Sequence, residues 1–340
     1  MARGLVEVLG AVAALGLGVG AGLWAAGTPL SVRGLEPLSL VATVVPLDPA
    51  RPDRHELGPL RVLGLLQLSS THRHFGGLSG LLHEAACGRL LAVSDAGNWV
   101  VLEPRWEGAR LVGVRAAWIA PLLDPDGQPP GSKRDADAEA LARDGDDVLV
   151  WFERDHRALR YRGLSACRPE SLGTPAVAEV RVPQMAAWPE NEGPEAAADL
   201  TGQPVVIGEG AKGQDGSVEA LWRGPEGWQA FRYPVADDFA PVGADALPDG
   251  QLVVVERRFR PGLGVAVRIV QARLPPRPGG HAEVRPIAQL APPLTVDNFE
   301  AVAVDRAAGR LLLVSDDNFN PLQRTLLLTL ALPPQADAAP

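Results

Sequence analysis

From Leu60 onward, short runs of Val, Leu, Ile, Trp and Phe alternate with turns rich in Gly, Pro and Asp, and no segment sustains a helical period. The pattern predicts strands throughout and an all-β fold. One phrase recurs: an acidic or small residue, an apolar strand, a turn containing glycine, and a second apolar strand. Its five copies begin at Ser79, Glu139, Glu195, Asp245 and Glu300, and their hairpin glycines are Gly88, Gly145, Gly202, Gly250 and Gly309. Each second strand then ends in an acid, namely Asp95, Glu153, Glu209, Glu256 and Asp316. Units of this length have room for two more strands, such as Ala158 to Tyr161 and Ala178 to Val182, which is the size of a propeller blade. The fifth unit holds only three strands and ends with Thr325 to Leu332, while Leu60 to Leu68 stands unassigned before the first. Pairing these two segments completes the last blade. The expected fold is a β-propeller of five four-stranded blades, closed by the N-terminal strand, with six blades as the alternative if Leu40 to Leu47 belongs to another. A β-sandwich would leave the fivefold phrase without a cause.

Upstream of the repeats, Leu5 to Ala26 is apolar apart from Glu7 and runs into Ala25-Ala26-Gly27, the layout of an export signal and long enough for a membrane anchor. Residues 1–27 are therefore read as a signal peptide or N-terminal anchor, 28–58 as a linker with room for one strand in the apolar run Leu40 to Leu47, 59–332 as the propeller and 333–340 as a disordered tail. This places the domain in the periplasm or outside the cell, with the membrane touched only through the N-terminal segment. The 46% hydrophobic content supplies a large core. A net charge of −9, without a long basic run, argues against nucleic acid as a partner. Lys133 and Lys212 are the only lysines in a chain otherwise supplied with Arg. Cys87 and Cys167 are too few for a metal cluster or a disulfide framework; two unpaired cysteines are the expectation, with pairing in an oxidising compartment as the alternative.

In a meandering blade the start of the first strand and the end of the second share a face. The repeat thus gathers carboxylates near the axis, where like charges raise one another's pKa unless a cation or arginines answer them. Glu139, Glu153, Arg154, Glu195, Glu256 and Arg257 are the candidate catalytic residues, with the arginines as clamps for an anion. His156, Arg258, Lys212 and Asn298 are candidates for substrate contact, and Asp95, Asp245, Glu300 and Asp316 for holding a divalent cation, Ca²⁺ in particular. The partner expected from this mixture is a small anionic substrate or ligand. The same acids also suit a purely bracing role between blades. Ser79, in Gly77-Leu78-Ser79-Gly80, lacks the spacing of a nucleophile elbow, and no phosphate loop, dinucleotide fingerprint or zinc-protease helix is present.

Several ordered motifs carry a family resemblance: Phe75-Gly76-Gly77-Leu78-Ser79-Gly80-Leu81, Ser94-Asp95-Ala96-Gly97-Asn98-Trp99, Asp137-Ala138-Glu139-Ala140-Leu141, Asn191-Glu192-Gly193-Pro194-Glu195-Ala196 and Asp297-Asn298-Phe299-Glu300-Ala301. Across residues 60–332 the chain resembles the phytase-like family described by "esterase-like activity of phytase". The resemblance implies a propeller and calcium-assisted hydrolysis of phosphate or other esters, as in β-propeller phytases. A lactonase-like propeller, or an envelope module that binds a ligand without catalysis, are the competing functions. The Arg154 and Arg257 pair favours an anionic substrate over a lactone.

Overall fold

The fivefold phrase folds as five antiparallel sheets arranged around an axis, in a computed structural model that describes residues 31–333. The expected signal or anchor at 1–27 lies outside the described residues, as does nearly all of the expected tail. Four strands precede the repeats: β1 (Glu36–Pro37), β2 (Val41–Val44), β3 (Glu56–Leu57) and β4 (Leu60–Ser69). Blade 1 contains β5 (Leu78–Glu84), β6 (Arg89–Ser94), β7 (Asn98–Glu107) and β8 (Arg110–Pro121), followed by the short helix α1 (Lys133–Ala136). Blade 2 contains β9 (Ala138–Asp144), β10 (Asp147–Phe152), β11 (Arg157–Tyr161) and β12 (Ala178–Arg181). Blade 3 contains β13 (Pro194–Leu200), β14 (Gln203–Lys212), β15 (Val218–Gly224) and β16 (Gly227–Tyr233). Blade 4 contains β17 (Ala240–Ala246), β18 (Leu252–Arg260), β19 (Gly264–Arg273) and β20 (Glu283–Leu290), and blade 5 begins with β21 (Phe299–Asp305), β22 (Arg310–Ser315) and β23 (Thr325–Ala331).

Each blade is a meander in chain order, and the innermost strands β5, β9, β13, β17 and β21 pack on one another in turn, with β21 against β5. Blade 5 takes its fourth strand from β4, which runs antiparallel to β23 with Leu66 opposite Leu327. The segment expected to be a linker instead lies along the blades: β1 pairs with β8, β2 pairs with β4, and Val32, Leu38 and Leu47 are buried.

Apolar side chains from facing sheets fill the wedges between blades, because a strand buried on both faces has no polar side to show solvent. Trp99, Val101, Val150 and Tyr161 fill the wedge between blades 1 and 2, and Ala140, Trp151, Ala197 and Val206 the next. Toward the axis the residues are small. Gly80, Ala140, Ala197, Gly243 and Ala301 surround a cavity of about 10 Å³, at the lower limit for holding one water. The axis is therefore narrow where these small residues meet.

Cys87, in the turn between β5 and β6, and Cys167, in the loop after β11, form a disulfide between blades 1 and 2, with their Cα atoms 5.6 Å apart. This corrects the expectation of two free thiols. A separation of 80 residues hides the pairing in the sequence, whereas the ring brings the two loops together on the face opposite the acids.

Candidate functional site

Every innermost strand carries one extra residue near its start. The ladder is interrupted between Leu78 and Gly80, Ala138 and Ala140, Pro194 and Ala196, Pro241 and Gly243, and Phe299 and Ala301. The bulged residues are thus Ser79, Glu139, Glu195, Val242 and Glu300. A bulge bends the strand and re-aims the side chain at its apex, here toward the axis. The residue before each bulge faces Ser94, Phe152, Gly208, Glu256 or Ser315 on the second strand, and the next position there holds Asp95, Glu153, Glu209, Arg257 and Asp316; only in blade 4 does the pairing run on, Arg257 facing Ala240. Four of these are fixed by their own backbone: the N–H of Asp95 donates to Gly77 O at 2.8 Å, Glu153 to Asp137 O at 3.0 Å, Glu209 to Gly193 O at 3.1 Å, and Asp316 to Asn298 O at 3.0 Å.

Blade 4 breaks the acidic pattern, and two expected site residues lie elsewhere. Asp245 is three residues beyond the bulge. Its carboxylate accepts from the backbone N–H groups of Val304 and Ala246, both at 2.7 Å, and faces Arg306 at 3.5 Å, so it ties blade 4 to blade 5. Burial pushes its pKa up to about 6. Glu256 is one residue short of the ring position, and because successive side chains alternate across a strand it points the other way. It is fully buried, accepting from the Tyr233 hydroxyl at 2.8 Å and from Arg268 Nε at 2.8 Å. Blade 4 supplies Val242 and Arg257 where its neighbours supply acids.

Arg257 extends into the ring, with Nη1 2.6 Å from Asn298 Oδ1 and 2.9 Å from Glu300 Oε1, and Nη2 3.5 Å from Glu209 Oε1. Burial alone would weaken its hold on a proton, but Glu300, Glu209, Glu195 and Asp316 more than offset this and raise its pKa. Arg154 binds Asp137 through Nε and Asn191 Oδ1 through Nη1 at 3.0 Å. A third cation, Lys133 of α1, was not among the expected site residues. Its Nζ lies 2.5 Å from Asp95 Oδ2, 2.6 Å from Asp137 Oδ1 and 3.0 Å from the Asp95 carbonyl oxygen.

These three cations do not neutralise the ring. Desolvation, then the charge of Glu195, raises the Glu139 pKa well above its ordinary value. Desolvation followed by Glu209 and Glu153 does the same for Glu195, and desolvation followed by Glu300 for Asp316. Glu153 is pushed up to about 8 by desolvation and then by Asp137, so it keeps its proton at neutral pH. Asp95 and Glu300 are also raised by burial, against the pull of Lys133 and Arg257 respectively.

Of the expected substrate contacts, Asn298 belongs to the ring and donates from Nδ2 to Glu300 Oε1 at 2.8 Å. Arg258 does not. It stacks over the Phe239 ring at 4.5 Å and donates to Asp237 O at 3.2 Å, as expected for the neighbour of an inward residue on a strand. His156 packs edge-on against Trp188 with ring centroids 6.2 Å apart. Lys212 ends β14, and its side chain lies outside the described residues. Asp137 and Asn191 join the ring from the segments that lead into β9 and β13.

A family model described as "Phytase-like: Esterase-like activity of phytase" matches residues 73–319, a span that takes in every ring position. This chain belongs to the phytase-like family. The glycines of its Phe75-Gly76-Gly77 motif are explained by the ring, since Gly77 has φ +63° and a Cβ there would strike the Asp95 carboxylate and the Phe319 ring. Its N–H donates to Asp317 Oδ1 at 3.0 Å. No curated protein matches the chain. Among solved structures, glutaminyl cyclase from Myxococcus xanthus is similar at 12% identity and TM-score 0.40, with 87% of this chain and 99% of that one covered. The PQQ-bound aldose sugar dehydrogenase from Streptomyces coelicolor is similar at 14% identity and TM-score 0.42, covering 86% and 99%. A gluconolactonase from Xanthomonas campestris is similar at 16% identity and TM-score 0.38, covering 87% and 99%.

The groups in this phytase-like ring that suit a metal ion differ from the expected set of Asp95, Asp245, Glu300 and Asp316. Asp245 is remote, and among the described residues Asp95, Glu300 and Asp316 do not converge with two other acids, although pairing alone does not set them apart, since Asp137 and Glu209 also meet Lys133, Arg154 or Arg257. Instead, Asp137, Glu139 and Glu153 form one group, and Glu153, Glu195 and Glu209 another, each bringing one oxygen per residue within 4.8 Å of the others. All the donors are carboxylate oxygens, the set preferred by hard cations such as Ca²⁺.

Proposed function

We propose that this chain is an exported hydrolase of phosphate esters or related esters, working with a divalent cation held by the carboxylate ring. The observation that carries the reading is the pair of three-carboxylate groups sharing Glu153, in a ring whose acids exceed Lys133, Arg154 and Arg257. Asp137, Glu139, Glu153, Glu195 and Glu209 are the residues that would hold the ion. When bound, it would polarise an ester oxygen and lower the pKa of a water molecule. Glu153, which retains its proton at neutral pH in the cation-free ring, would release it on binding the ion, because a carboxylate ligates in its charged form. Arg154, with about a third of its side chain exposed, offers positive charge at the mouth. The Cys87–Cys167 disulfide supports export, since such bonds persist in oxidising compartments and are rare in the cytosol.

A second reading, with a neutral ester or lactone as substrate, is favoured by the state of the arginines. Arg257 is taken up by Glu300, Asn298 and Glu209, and Arg154 by Asp137 and Asn191, so neither presents an open fork to an anion. A hydrolysis screen separates these. Phosphate monoesters, carboxylic esters and lactones are each incubated with the protein in Ca²⁺ and in chelator. The proposal expects turnover of at least one class that chelator removes. Hydrolysis of none, in the presence of Ca²⁺, would overturn it and leave a ligand-binding propeller.

A further inference from the structure

The gaps between neighbouring carboxylates are not equivalent. Between blades 1 and 2, the Lys133 ammonium is surrounded by Asp95 Oδ2 at 2.5 Å, Asp137 Oδ1 at 2.6 Å and the Asp95 carbonyl oxygen at 3.0 Å. Three oxygens around one compact charge is the arrangement a small cation would have there. Arg257 from blade 4 fills the approach to Glu300 and Glu209. Between blades 5 and 1 the acids are answered by neutral donors: Asp317 accepts from the N–H groups of Gly77 and Phe319 and from the Thr325 hydroxyl, and Asp316 from the Asn318 N–H.

The gap between blades 2 and 3 is answered only at its edge, where Arg257 reaches Glu209 at 3.5 Å. Glu153, Glu195 and Glu209 meet there, with Glu139 beside them. Among the described residues, no hydrogen bond or ion pair reaches the carboxylate of Glu195, which is only 8% exposed. A buried, unpartnered carboxylate facing two others is costly unless something positive joins it.

We propose that the ring takes a single divalent cation, in the gap between blades 2 and 3 on Glu139, Glu153, Glu195 and Glu209, and that Lys133 permanently occupies a second cation position. The inference rests on the metal reading above and adds the location and the count. An ammonium is a point charge with three donors, which fits three converging oxygens better than the planar fork of Arg. A second dication beside Asp95 and Asp137 would have to displace it.

Equilibrium dialysis against Ca²⁺ tests this on the full protein and on Lys133→Met and Glu195→Gln, with folding checked by circular dichroism. One Ca²⁺ per chain is expected for the unmutated protein, two for Lys133→Met, and at least a tenfold loss of affinity for Glu195→Gln. Lys133→Gln replaces the methionine variant should that one not fold. Two or more ions in the unmutated protein, or a single ion in a folded Lys133 variant, would overturn the inference. If two ions bind and Ca²⁺-dependent hydrolysis persists, only the count fails. No Ca²⁺ bound at all sinks the metal reading with it.

Discussion

Glu195 on the innermost strand β13 and Glu256 on the second strand β18 are both buried acids, and the difference between them is what each faces. Glu256 neutralises Arg268 and takes the Tyr233 hydroxyl, so Glu256→Gln leaves a buried guanidinium without its counter-ion. That change should cost about 3–5 kcal/mol in urea unfolding and leave any Ca²⁺ stabilisation intact. A loss of the Ca²⁺ effect would instead return Glu256 to the site. The ring acids also set a pH dependence. With Glu153 at about 8 in the folded chain against an ordinary 4.5, the unfolded chain releases its proton first as pH rises. Stability of the cation-free protein should therefore fall between those two values, and Glu139, Glu195 and Asp316, also raised, act with the same sign. His83 and His156, both lowered by burial, act in the opposite sense but are two groups against these four acids. Melting curves from pH 5 to 9 in chelator check this, and a midpoint rising across the range would contradict it. Glu139, Glu195 and Glu300 were legible in the sequence because each sits at the start of its apolar strand. Asp245 and Glu256 were misplaced because blade 4 has Val242 and Arg257 at those positions, and a search for acids passes over them. Lys133 and Asp137 come from the segment before β9, where no strand pattern marks their direction.

At the level of elements, the alternation of apolar and polar positions located the strands well, because each inner strand is bounded by turn residues and packed on both faces. It did not show the bulges, which appear only when two strands are laid in register. The 28–58 segment was read as a linker from its Pro, Arg and Asp content, yet Val32, Leu38 and Leu47 bury themselves against the blades. The disulfide was equally hidden, since its cysteines belong to loops of different blades. Replacing both Cys87 and Cys167 by Ser should lower stability by about 2–5 kcal/mol and leave Ca²⁺ binding unchanged, because the bond lies on the opposite face. Urea unfolding of the variant beside the unmutated protein tests this, and no difference would show that the blades hold without it.

Across the whole molecule, the period of the phrase gave the five units, and the three-stranded fifth unit pointed to the partner that β4 provides for β23. What the sequence could not convey is how narrow the axis is where the small side chains of the innermost strands meet. The ring concentrates acids in excess of its cations, and the central claim is that a divalent ion completes it. The most direct test is the melting temperature of the unmutated protein and of Glu195→Gln, each in Ca²⁺ and in chelator. At Ca²⁺ about a hundredfold above its dissociation constant, binding to the folded state alone adds about 2.7 kcal/mol. The account predicts a rise of several degrees for the unmutated protein and at most about half that for Glu195→Gln. An unmutated protein indifferent to Ca²⁺, or an equal rise in both proteins, would contradict it.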